Sequence, residues 1–185
     1  MTGERKALFL DRDGVINVDY GYVHTPERTD FIEGIFELCR LAGEYNYLVI
    51  VVTNQAGIAR GYYSETEFIA YMDWMRRAFS DQGAPLDAVY YCPHHPEEGI
   101  GSYKCTCLCR KPNPGMLIAA RDEFDLDLSL SILVGDKPSD IEAGCAAGVG
   151  KCFLIEAIAT QNSRMSLSRT DLSMLTSALT AAKKS

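Results

Sequence analysis

Five short apolar runs recur along the chain, separated by amphipathic segments: Ala7–Leu10, Tyr47–Val52, Ala88–Tyr91, Ser131–Val134 and Cys152–Ile155. They are rich in Val, Ile, Leu, Phe and Tyr and lack polar alternation. Each therefore predicts a strand covered on both faces, as in a parallel sheet. Between them, Ile35, Leu38, Cys39 and Ala42 keep the i, i+3, i+4, i+7 spacing of a helix. Ser64 and Glu67 form a capping box ahead of the stripe Phe68, Met72, Met75 and Phe79. Asn113 as N-cap with Pro114 in the first helical position predicts a helix to about Phe124. Ser139 to Ala147, closed by Gly148, predicts another. Leu172, Leu175 and Leu179 mark the last, with Lys183 and Lys184 at its cation-favouring end. Strand–helix alternation implies right-handed crossovers and an open, mostly parallel α/β sheet with helices on both faces.

At 185 residues the chain has room for one such domain, and no linker rich in Pro, Gly or Ser divides it, so residues 1–185 are expected to form a single domain. The formal net charge is −7, from 18 basic and 25 acidic residues, which argues against nucleic acid as partner. A small phosphorylated ligand needs only a few placed cations. No apolar run approaches the roughly 20 residues of a membrane helix, and the first ten residues lack the features of a secretory signal. A cytoplasmic, monomeric protein is the expectation, with no membrane partner.

Two long segments, Asn17 to Glu33 and Cys92 to Arg110, follow strands and should lie at the carboxyl edge of the sheet, where ligands bind in such folds. The same edge collects Asp11-Arg12-Asp13-Gly14-Val15 after the first strand and Thr53-Asn54-Gln55 after the second. Gly135-Asp136-Lys137-Pro138-Ser139-Asp140 follows the fourth, and Arg110-Lys111-Pro112 opens a helix beside them. A single aspartate at a strand end usually caps a helix or faces solvent. Two carboxylates, a hydroxyl and an ammonium converging at one edge suit phosphoryl transfer. Asp11 is ionised without help and can attack phosphorus. A Mg²⁺ held by Asp11 and Asp136 offsets the repulsion between the two anions. Thr53 and Lys111 would hold phosphoryl oxygens, and Asp13 would protonate the leaving alkoxide and later deprotonate water.

Cys92-x-His94 followed by Cys107-x-Cys109 has the composition of a closed, structural Zn²⁺ site. Cys105 could replace one of the cysteines and His95 could replace His94; His94 is preferred because it matches the spacing of the second pair. The ion would pin the 92–109 loop and aim Arg110. Cys39, Cys145 and Cys152 read as core.

Asp11-x-Asp13-Gly-Val, Thr53, Lys111 and Gly135-Asp136-x-x-x-Asp140 resemble, in order and spacing, the four motifs of the haloacid dehalogenase (HAD) superfamily of aspartyl-phosphate hydrolases. The resemblance implies Asp11 as nucleophile and Asp13 as general acid/base. It also implies Mg²⁺ on Asp11, the Asp13 main-chain carbonyl and Asp136, with Asp140 orienting a metal-bound water. With a zinc loop and no large cap domain, the chain is further similar to HAD phosphatases acting on heptose bisphosphates, histidinol-phosphate phosphatases being the alternative. By that likeness Asp19, Tyr20, Gly21 and Tyr22 would line a sugar pocket, and Thr53, Asn54, Gln55 and Ala56 the phosphate. Lys111 and Lys137 would approach the transferring group, and Arg110 would recognise a distal phosphate at C1. Read from the residues alone, Arg110 serves equally as a surface charge beside the zinc site, and Tyr20 and Tyr22 as loop anchors. Glu156 to Met165 is polar and lacks the basic, glycine-containing run usual in these relatives.

Overall fold

The computed structural model describes residues 5–160 and 164–181. Its five parallel strands are β1 (Lys6–Leu10), β2 (Tyr47–Asn54), β3 (Ala88–Cys92), β4 (Ile132–Gly135) and β5 (Lys151–Leu154), in the spatial order β3-β2-β1-β4-β5. β1 lies at the centre, with Leu8 opposite Val49 on one side and Ile132 on the other. The chain starts in the middle and winds outward in both directions, so the loops after β1, β2 and β4 open at one edge.

The pleat sends alternate residues to opposite faces, and each face has its own core. Leu8, Leu10, Val49, Val51, Ile132 and Val134 pack beneath α1 (Ile35–Glu44), a short α2 (Ala56–Ala59), α3 (Glu65–Asp81) and α6 (Arg169–Ala181). Ala7, Phe9, Ile50, Val52 and Leu133 pack beneath α4 (Gly115–Phe124) and α5 (Pro138–Ala147). The unbroken apolar strands are explained by this double covering. Ile35, Leu38, Cys39 and Ala42 are the buried residues of α1, and Ser64 caps α3 by the reciprocal bonds of a capping box with Glu67.

Several boundaries differ from the sequence expectation. α4 begins at Gly115 with Pro114 as its cap, because the Asn113 side chain donates to the Cys107 carbonyl instead of capping the helix. Cys145 is exposed on α5 rather than in the core, while Cys39 is buried and Cys152 half-buried. Lys183 and Lys184 lie outside the described residues. After Ile155, β6 (Ile158–Ala159) and β7 (Met165–Ser166) pair as an antiparallel ribbon. Glu33 accepts the Leu167 N–H and donates its own to Met165, tying that ribbon to the start of α1.

Candidate active site

Asp11 follows the last residue of β1, and its N–H donates to the Val134 carbonyl, continuing the ladder to β4. One oxygen each of Asp11, Asp136 and Asp140 lies within 4.8 Å of the others. Between these carboxylates stands the buried Lys111, whose Nζ is 2.8 Å from Asp11 Oδ1, 2.6 Å from Asp140 Oδ1 and 2.8 Å from the Val52 carbonyl. Burial alone would lower the Lys111 ammonium, but Asp11 and Asp140 outweigh it and hold its pKa above the ordinary value. Lys111 is carried there by a two-way clamp. Its N–H donates to Asn54 Oδ1, and Asn54 Nδ2 donates to its carbonyl, each at 3.0 Å.

Asp136 is less well compensated, its nearest ammonium being Lys137 Nζ at 3.7 Å. Burial and the neighbouring Asp11 push its pKa up to about 7, and its Oδ1 is buried without a hydrogen bond. An oxygen cluster of this kind, short of positive charge and with one orphaned oxygen, fits a hard divalent cation. Asp140 is differently engaged, since its oxygens serve Lys111 Nζ and the Lys137 N–H. Glycine is required at Gly14, which has φ +89° and where a Cβ would overlap the Asp136 carboxyl, and at Gly135, where one would overlap Asp140.

Thr53 is buried at the end of β2, and its Oγ1 accepts a 2.8 Å bond from Gln55 Nε2. Gln55 Oε1 in turn accepts from the Tyr63 hydroxyl at 2.6 Å, and the Tyr63 ring stacks on His24 at 4.4 Å. With a lone pair occupied, the Thr53 hydroxyl keeps its proton for an outside acceptor. Asp13 turns away from the three-carboxylate group toward Arg12 and Asn17.

Around this floor the loops supply a rim. Asp19 sits 3.2 Å from Lys137 Nζ, which lies 3.7 Å from Asp136. These carboxylates, Asp136 foremost, outweigh the effect of burial and raise the Lys137 ammonium above its usual range. Tyr20 is 52% exposed, and its hydroxyl is spent on Asp30 at 2.8 Å. Gly21 and Tyr22 both have positive φ, and Tyr22 packs edge-on against Tyr62 at 4.8 Å with the Arg60 guanidinium over its ring. Ala56 opens α2 beside Gln55.

The second metal-type cluster lies next door. Cys92 closes β3 opposite Asn54, and its carbonyl accepts the Gln55 N–H. Its Sγ is 3.4 Å from Cys107 Sγ and 3.1 Å from Cys109 Sγ, and His94 Nδ1 is 3.5 Å from the latter. A tetrahedron with bonds of about 2.3 Å requires ligand separations of about 3.7 Å, so the set fits Zn²⁺ with little adjustment. Cys105 and His95 stand outside this group. Arg110 donates from Nη1 to the His94 carbonyl at 3.1 Å, so in this structure its guanidinium braces the cluster.

The HAD-hydrolase-like family matches residues 108–164 of the chain. A D-glycero-alpha-D-manno-heptose-1,7-bisphosphate 7-phosphatase of Burkholderia mallei is 60% identical over 152 residues, 82% of this chain and 80% of that protein. The chain belongs to the heptose-bisphosphate phosphatase family of HAD-like hydrolases. A D-glycero-beta-D-manno-heptose-1,7-bisphosphate 7-phosphatase of Vibrio cholerae is 53% identical over 82% of this chain and 81% of its own. Among solved structures, the D,D-heptose 1,7-bisphosphate phosphatase of B. bronchiseptica, complexed with magnesium and phosphate, aligns over 97% of this chain and 99% of its own. Its TM-score is 0.76 at 29% identity.

Several residues of this heptose-bisphosphate phosphatase family member escaped sequence reading. Arg12 sits between the two motif aspartates and is 0% exposed; its place inside the motif was the available signal. Asn17, Tyr63 and His24 carry no spacing signal, because they meet the site through loops. Arg60 also joins the rim, paired with Glu98 from the cysteine loop.

Proposed function

We propose that this protein hydrolyses the C7 phosphate of D-glycero-D-manno-heptose 1,7-bisphosphate through a phosphorylated Asp11. The observation that carries the reading is the convergence of Asp11, Lys111, Asp136 and Asp140 with Thr53 at the end of the neighbouring strand β2, in a chain 60% identical to a phosphatase named for that substrate. An Asp11 oxygen attacks phosphorus as the bond to the C7 oxygen breaks, and Asp13 gives that oxygen its proton. Lys111 and the Thr53 hydroxyl hold non-bridging oxygens as charge spreads over them. Asp13 then takes a proton from the water that releases phosphate from Asp11.

Asp11, Asp136 and the Asp13 carbonyl would hold Mg²⁺, with Asp140 behind them. When bound, the ion supplies the positive charge that lets a carboxylate approach a phosphate dianion. Zn²⁺ on Cys92, His94, Cys107 and Cys109 would be structural, because four protein ligands leave no open position. Asp19 and Tyr22 would contact the sugar, Lys137 would stand near the transferring phosphoryl group, and Arg110 would contact the C1 phosphate after releasing the His94 carbonyl.

The reading takes residues 1–185 as one domain, which two cores sharing one sheet support, and takes the protein as a monomer. All seven cysteines are free, which suits a reducing cytoplasm. Among the described residues no helix is long and apolar enough to cross a membrane.

The test offers both anomers of the heptose bisphosphate, the matching monophosphates and histidinol phosphate to the magnesium-loaded enzyme. Preference for a bisphosphate, with release from C7 seen by phosphorus NMR, is expected. Preference for histidinol phosphate would replace this reading with the other.

A further inference from the structure

We propose that Arg12 and Asn17 are positioning residues that decide which oxygen of Asp13 handles the proton: they saturate Oδ1 and reserve Oδ2 for the leaving group. This rests on the reading of Asp13 as general acid/base. Two N–H groups converge on Oδ1, Arg12 Nε at 3.2 Å and Asn17 Nδ2 at 3.0 Å, while Arg12 Nη2 spends one hydrogen on the Val23 carbonyl and turns the other to the carboxyl, 2.8 Å from Oδ1 and closer to Oδ2. A carboxyl oxygen has two lone-pair sites, so none remains for a proton. Oδ2 receives only Arg12 Nη2, at 2.6 Å, and keeps one site free.

The cradle itself is fixed. Arg12 is fully buried, donates to the Val23 carbonyl at 2.6 Å, and lies with its guanidinium 5.7 Å from the Phe68 ring and 5.2 Å from that of Tyr71. Asn17 is equally buried and gives its second amide bond to the Val18 carbonyl at 2.9 Å. Only a planar fork can serve both Asp13 oxygens while reaching Val23, which a lysine ammonium cannot reproduce. A merely structural Arg12 would tie the end of β1 to the Val23 loop and have no bearing on proton delivery.

Leaving groups separate the two roles. p-Nitrophenolate departs without a proton, whereas an alkoxide needs one, and kcat/KM reports the step in which the ester bond breaks. In the magnesium-loaded enzyme, Asp13→Asn should lower kcat/KM on an alkyl phosphate by about 10²–10⁴-fold and far less on p-nitrophenyl phosphate. Arg12→Lys and Asn17→Ser should each move the aryl-to-alkyl ratio the same way by about tenfold or more. A ratio unmoved in both, with Asp13→Asn moving it, overturns the proposal. A ratio unmoved by Asp13→Asn removes the general-acid reading itself, and the proposal with it. Should Arg12→Lys fail to fold, as thermal melting would reveal, the milder Asn17→Ser decides.

Discussion

Lys111 shows how much one side chain holds at this site. It is buried with Asp11 and Asp140 on either side, so its removal strands two carboxylates without a counter-charge. Lys111→Met is expected to cost about 3–5 kcal/mol, read by urea unfolding, and to abolish activity. Asp136 makes the opposite kind of prediction. Its carboxyl titrates near 7 when folded, against an unfolded value of 3.8, so the native state keeps a proton that the unfolded chain has released. Between those values the folded form binds more protons, and stability falls as pH rises. In magnesium-free buffer the melting temperature should carry a downward component from about pH 4 to about pH 7 that Asp136→Asn removes. Adding Mg²⁺ above pH 7 should restore stability to the wild type and not to the variant. An identical pH slope in the two proteins would refute the assignment.

At the level of elements, β1 and α3 cooperate at a distance. β1 delivers Asp11 and Arg12 to the sheet edge, and α3 supplies the Phe68 and Tyr71 rings that flank Arg12. The entry of α3 is set by Ser64, which accepts the Glu67 N–H while the Glu67 carboxylate accepts from the Ser64 N–H. Ser64→Ala should cost about 1 kcal/mol in denaturant unfolding while leaving kcat close to wild type, because the cap lies outside the phosphate pocket. This cap was legible because its residues are three apart. The start of α4 departs from its local signal for the converse reason: Asn113 bonds to Cys107, a partner in the folded cysteine loop that no helix-start signal includes.

For the molecule as a whole, the cysteine cluster is where the two halves of the site are joined. Cys92 ends β3 beside Asn54, and Cys109 immediately precedes Arg110 and Lys111. An ion there would fix the span that brings Lys111 to Asp11. Elemental analysis should find one zinc per chain. Its removal by a thiol-reactive mercurial should lower the melting temperature and, with it, activity at saturating Mg²⁺. Full activity in zinc-free protein would confine the cluster to a role away from the pocket.

What the linear order determined was the frame and the floor of the site. Apolar runs without alternation imply doubly covered strands, and charged residues at their carboxyl ends must share an edge, so Asp11, Thr53, Lys111 and Asp136 could be grouped before any coordinates. Those inferences use local periodicity and topology, which neighbouring residues encode. The partners of Arg12, the Gln55–Tyr63 hydrogen bond behind Thr53 with His24 stacked on the tyrosine, the turn of Arg110 toward His94 and the exposure of Cys145 depend on side chains that meet only when remote loops close over the sheet. Hydrogen bonds of that kind have no period along a chain, and only the tertiary structure decided them.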